Sequence, residues 1–187
     1  MIRALAWLIC TVGAIVALNA VSSASSDNPC LSIAGTSVLL FAVILTHELA
    51  HAAMARHFGA RIRSIMVWPI ELRLWPDRKL QFAQRSGRRD LGGAVRYDLD
   101  RVGTRTKHAW IAAAGPLGNF AVAGLGVGVV LVGGAGRSAD IWAALVLLSV
   151  SVGIANMLPF KGSDGMIVMR AILRDRSRAS VADRTAT

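Results

Sequence analysis

Three residues in one apolar stretch have the types and spacing of a metal hydrolase: His47, Glu48 and His51, in the run Thr46-His47-Glu48-Leu49-Ala50-His51. Helical residues four apart lie one above the other, so both imidazoles reach one ion while Glu48 stands beside it as a base towards water. A second run, Asn156-Met157-Leu158-Pro159-Phe160-Lys161-Gly162-Ser163-Asp164-Gly165, offers the carboxylate of Asp164 as a third ligand. Both runs lie in or beside stretches hydrophobic enough to cross a bilayer. The chemistry expected is peptide hydrolysis inside a membrane, with one zinc ion per chain held by His47, His51 and Asp164 and with Glu48 as catalytic base.

An HExxH string on a soluble helix is a moderate signal, because any helix can carry two histidines by accident. Inside a span, each ionisable group costs a few kcal/mol to insert, so three within five residues call for a metal or a polar cavity. The competing reading is a helix-end cluster that snorkels to the interface.

The elements that must position these groups follow from the hydropathy pattern. The chain has 187 residues, 54% of them hydrophobic, and a mean hydropathy of +0.51. These values exceed those of an ordinary soluble domain. Four apolar runs, Ala4 to Val21, Leu31 to Ala55, Ala109 to Val132 and Ile141 to Leu158, each approach the roughly 20 residues a spanning helix needs. The fold expected is an all-α polytopic membrane protein of about four transmembrane helices, with a short β-hairpin or re-entrant segment after the second. At about 1.5 Å per residue from Leu31, His47 lies about 24 Å along its helix, towards one side of a roughly 30 Å core. Pro159 lacks an amide hydrogen and ends or kinks the fourth helix, freeing the chain to fold Asp164 back to that side. A second role open to Asp164 is the N-cap of a following helix from Gly165.

The formal charge is +10, but the basic residues sit in blocks between or after the apolar runs and are not interleaved with stacking aromatics. Topology accounts for them, and no nucleic-acid partner is expected. The loop 56–107 and the tail 177–187 are basic, so the positive-inside rule places both, with both termini, in the cytosol. The first run has a rival reading as a signal peptide, with Ser22-Ser23-Ala24 as a cleavage site. Within the loop, Arg61 to Val67 and Ile70 to Leu74 around Trp68-Pro69 suggest strands whose tryptophans lie against or dip into the bilayer edge. The rest, from Gln81 to Thr106, reads as a polar connection. Cys10 and Cys30 offer no disulfide framework. His57 and His108 read as interface histidines, and Gly124, Gly126 and Gly128 as a helix-packing surface that closes the core or seats a second copy in a homo-oligomer.

In these motifs the chain resembles the site-2 protease family of intramembrane zinc metalloproteases, in a compact form without a PDZ domain. The resemblance rests on His47-Glu48-Leu49-Ala50-His51, on the N-x-x-P-x-x-x-x-D-G pattern from Asn156 to Gly165, and on Ala114-Gly115-Pro116-Leu117-Gly118-Asn119 in the third span. It covers about Leu31 to Arg170, within a catalytic core taken as 31–176 after an N-terminal segment 1–30. The resemblance implies His47, His51 and Asp164 as zinc ligands, Glu48 as the catalytic glutamate, and Asn156 as a polar group near the reacting carbonyl. Asn119 and Pro159 take supporting places, and for Asn119 hydrogen bonding between helices is the plainer alternative. It further implies a single-span membrane-protein substrate, cut in regulated intramembrane proteolysis, at a bacterial plasma membrane. A shielded helical peptide must unwind first, and the Trp-Pro hairpin is a place to receive it as an added strand. The alternative function is a membrane metal-binding or ion-transport protein, which would need the ligands but not Glu48. A catalytically inert scaffold is a third.

Overall fold

The computed structural model describes residues 1–24, 28–83, 92–100, 104–133 and 136–173. The tail expected over 177–187 and parts of the connection 81–106 lie outside these residues. Among these residues four helices are long and apolar enough to cross a membrane: α1 (Ile2–Ala24), α2 (Pro29–His57), α3 (Thr104–Gly133) and α4 (Arg137–Met157). A fifth, α5, covers 164–173. A four-stranded antiparallel sheet lies between α2 and α3 in the chain.

Both ends of α2 have local causes. Pro29 occupies the first turn of α2, where its missing amide costs nothing, and the Asn28 side chain accepts hydrogen bonds from the amides of Cys30 and Leu31. At the other end Gly59 takes φ +78°, and its amide and that of Ala60 bond back to Arg56 and Ala55. That left-handed cap closes α2 and reverses the chain into the sheet.

The apolar core is made by small and branched side chains of three helices. Ala17 and Val21 of α1, Val43 of α2 and Ala144 and Leu148 of α4 are buried together. The helices approach closely where glycine permits. A Cβ on Gly118 of α3 would stand 2.7 Å from the Ala50 Cβ of α2, and one on Gly153 of α4 would stand 2.9 Å from the Phe120 ring. Most large apolar side chains of α1, including Trp7, Leu8 and Ile15, face outward, as a lipid-facing surface requires.

The sheet has the order β3-β2-β1-β4, with β1 (Arg61–Val67), β2 (Ile70–Arg73), β3 (Lys79–Phe82) and β4 (Gly93–Asp98). It is larger than a hairpin: β4 falls in the stretch read as a polar connection, since Gly93 to Asp98 is too short and mixed to stand out before its partner is known. The sheet folds back along α2. Tyr97 packs by Ala55 and Ile111 near the end of α2, whereas Gly93, at the other end of β4, lies against Glu48. The registers put two rows of side chains on the face that covers Glu48, Gly93–Val67–Ile70–Phe82 and Val95–Ile65–Leu72–Leu80. Exposure rises outward along the first, from 4% at Val67 through 39% at Ile70 to 82% at Phe82. The opposite face carries Glu71, Arg73, Lys79, Gln81 and Arg96.

Candidate metal centre

One face of α2 presents His47 and His51, and both are buried with Glu48. Their Nε2 atoms are 3.1 Å apart and lie 3.1 and 3.3 Å from Asp164 Oδ2. Donor atoms about 2.0–2.1 Å from a tetrahedral zinc stand about 3.3 Å from one another, so these three spacings already match a shared ion. The imidazole planes are 87° apart, so the two nitrogens converge without stacking. Two nitrogens and one carboxylate oxygen within 4.8 Å of one another form a donor set suited to zinc with a position left open.

Space for the ion comes from α3. A Cβ on Gly115 would collide with His51 Nε2 and stand 2.7 Å from His47 Nε2. Only glycine leaves that volume clear. The next residue, Pro116, has no amide hydrogen for the Ala112 carbonyl and loosens this turn of α3. In the same turn the Ile111 carbonyl accepts a hydrogen bond from His51 Nδ1 at 2.6 Å, which turns His51 Nε2 inward. The residues fit a zinc ion in number, chemistry and room.

Asp164 arrives by the route Pro159 opens. Helix α4 ends at Met157, and the Ser163 hydroxyl then ties the turn, donating to the Leu158 carbonyl at 2.6 Å and accepting from the Met166 amide. Ser163 is therefore the N-cap of α5, and the Asp164 carboxylate is left for the histidines. Gly165 is needed beside it, because a Cβ there would collide with the Met157 carbonyl oxygen.

The structure brings together His47, His51, Asp164 and Asn119, whose amide nitrogen is 3.2 Å from His47 Nδ1. Glu48, next in sequence, is covered by Gly93, where a Cβ would overlap its carboxylate. Among the described residues Asn156 makes no hydrogen bond to the three donor atoms; its amide nitrogen donates to the Val152 carbonyl one turn back. His57 and His108 lie outside the cluster. His108 Nδ1 pairs with the Tyr97 hydroxyl at 2.7 Å, tying β4 to the first turns of α3. Burial, and secondarily the negative charge of Asp164, pushes the Tyr97 phenol above its ordinary value. On the sheet's polar face, burial works against ionisation of Glu71. Hydrogen bonds from Gln81 and Ser64 and the charges of Arg96 and Arg73 outweigh it and hold the carboxyl below the usual range.

Gly93, Ile111 and Tyr97 were not legible as site neighbours. A backbone carbonyl has no signature in the sequence, and a glycine in a short strand has many possible reasons.

Comparison with known proteins identifies the family. The model of peptidase family M50, the site-2 protease family, matches residues 35–136. Relatives named for zinc metalloprotease activity, Rip3 of Mycobacterium tuberculosis strains Erdman and H37Rv, are each 30% identical over 153 residues. The match covers 79% of this chain and 33% of each relative, so the chain spans about a third of the length of the curated relatives it matches. No solved structure matches. With the family match spanning more than half of its residues and four apolar helices long enough to cross a bilayer, this chain is an integral membrane protein that belongs to peptidase family M50.

Proposed function

We propose that this protein is a zinc-dependent endopeptidase that hydrolyses a peptide bond within or near a transmembrane segment of a single-span membrane protein. The observation that carries the reading is the convergence of His47 Nε2, His51 Nε2 and Asp164 Oδ2 in a space kept open by Gly115, with Glu48 adjacent and buried. One zinc ion per chain would be held by those three atoms and would supply a Lewis acid that polarises the scissile carbonyl and acidifies water. Glu48 takes the proton of the attacking water and delivers it to the leaving amine. Burial of the glutamate under β4 keeps bulk water from competing for that proton.

The free sheet edges among the described residues are β3 and β4, since β1 and β2 are each paired on both sides. The hairpin around Trp68-Pro69 is therefore interior, and β4, whose first residue Gly93 lies against Glu48, is the strand an unwound substrate adds to. The apolar rows ending in Leu80 and Phe82 lie on the face turned to Glu48 and suit the hydrocarbon region. The arginines of the other face suit the headgroups. We place α1 as a retained span, because Ala17 and Val21 complete the core with α4. The basic loop and the termini face the cytosol of a bacterial plasma membrane on charge grounds. Release of a membrane-tethered regulator by regulated intramembrane proteolysis is the corresponding biological role.

The test is cleavage of a panel of single-span reporters by the detergent-purified protein, with zinc content measured in parallel and Glu48→Gln as control. Cutting that needs both zinc and Glu48 is the expected result. Stoichiometric zinc with no cleavage of any reporter would favour metal binding or ion transport.

A further inference from the structure

Asn119 is completely buried, and its Oδ1 has no hydrogen-bond partner. Its Nδ2 is 3.2 Å from His47 Nδ1, an approach made possible by Gly118, which lets α3 close on Ala50 of α2. With Nδ2 donating to a bare Nδ1, the proton of His47 sits on Nε2, facing Asp164 Oδ2 at 3.1 Å. A metal ligand needs the opposite tautomer, with the Nε2 lone pair directed at the ion and the proton on Nδ1. A half-turn of the amide puts Oδ1 where Nδ2 now stands and supplies the acceptor. His51 has no such dependence, because its Nδ1 faces the main-chain carbonyl of Ile111, which can only accept.

We propose that Asn119 is the positioning residue of His47: its amide oxygen accepts the Nδ1 proton and fixes the tautomer and ring direction in which Nε2 binds zinc. The proposal rests on the metal-site reading above. In so buried a position no water replaces the lost acceptor. Removing it should weaken zinc binding by about 10- to 100-fold, the usual effect of losing a group that orients a metal-bound histidine.

The experiment is zinc affinity by chelator competition on the full-length detergent-solubilised protein, for wild type, Asn119→Leu and Asn119→Asp. It is joined by ¹⁵N spectra of the zinc-loaded wild type labelled at its four histidines. Expected are weakened binding in Asn119→Leu, binding within about tenfold of wild type in Asn119→Asp, and a His47 ring protonated at Nδ1 with metal on Nε2. Unchanged affinity in a folded Asn119→Leu protein, equal weakening in both variants, or metal on His47 Nδ1 would overturn the assignment. If Asn119→Leu loses its metal-free helical content, Asn119→Asp and the spectra decide. Wild type that binds zinc but cleaves nothing removes the peptidase reading and leaves Asn119 in place, whereas active wild type with Asn119→Leu binding unchanged removes only the Asn119 assignment.

Discussion

Glu48 is the one ionisable group of the α2 cluster that ligates nothing in the arrangement described, so the proposed chemistry separates from metal binding at this residue. Glu48→Gln keeps size and burial but cannot take a proton. It should lower reporter cleavage by about 10²- to 10⁴-fold, the usual weight of a general base, with zinc content unchanged by elemental analysis. Gly115 makes the complementary case. Gly115→Ala places a methyl between the two Nε2 atoms, and the purified variant should lose most of its zinc while the helices, whose packing elsewhere is untouched, retain their content by circular dichroism. Normal zinc in Gly115→Ala would mean that the ion sits elsewhere.

At the scale of elements, two connections decide whether the ligands meet. The turn from α4 to α5 is held by the Ser163 hydroxyl, which bonds the Leu158 and Phe160 carbonyls and caps α5. Ser163→Ala should cost about 1 kcal/mol, read as a lowered Tm, and weaken zinc binding because Asp164 is no longer held in place. Strand β4 acts on the other side of the site. A side chain at Gly93 must push against the Glu48 carboxylate, so Gly93→Val should lower turnover while leaving zinc bound, measured as cleavage rate against metal content. Elsewhere in the sheet, Glu71 is held below its usual value near 4.5. A carboxyl with a depressed folded pKa stabilises fully above the unfolded value and loses that contribution as pH falls through the folded one. The Tm difference between wild type and Glu71→Gln should therefore shrink as pH is lowered beneath about 4.5, and a difference constant down to pH 3 would show that packing, not charge, accounts for it.

For the whole molecule, the three proposed ligands come from α2 and α5, and their orienting partners come from α3. A bound ion would therefore link three parts of the chain. Zinc that binds only the folded state stabilises it by RT ln(1 + [Zn]/Kd), about 4 kcal/mol at a free concentration of 1,000 Kd. Chelation should lower the Tm correspondingly, with recovery on adding zinc back. Glu48→Gln should show the same metal-dependent shift as wild type, because its ligands are intact.

Much of this protein follows from sequence alone, for a physical reason. A bilayer forces each span to be about 20 apolar residues whose backbone satisfies itself, so the helices are written as hydropathy. Within one of them the 3.6-residue period places His47, Glu48 and His51 on one turn whatever surrounds them. Asp164 is legible as a candidate for the same reason that Pro159 is, because a proline after an apolar run stops the helix. What only the tertiary structure decided are relations between distant segments. The face of α3 that meets His47, the use of Ile111 by its carbonyl, the pairing of β4 with β1 so that Gly93 covers Glu48, and the capping of α5 by Ser163 rather than Asp164 all depend on close approach in space. Local periodicity carries no record of such approaches, since a glycine that makes room for a histidine nitrogen looks the same in sequence as one that makes a turn.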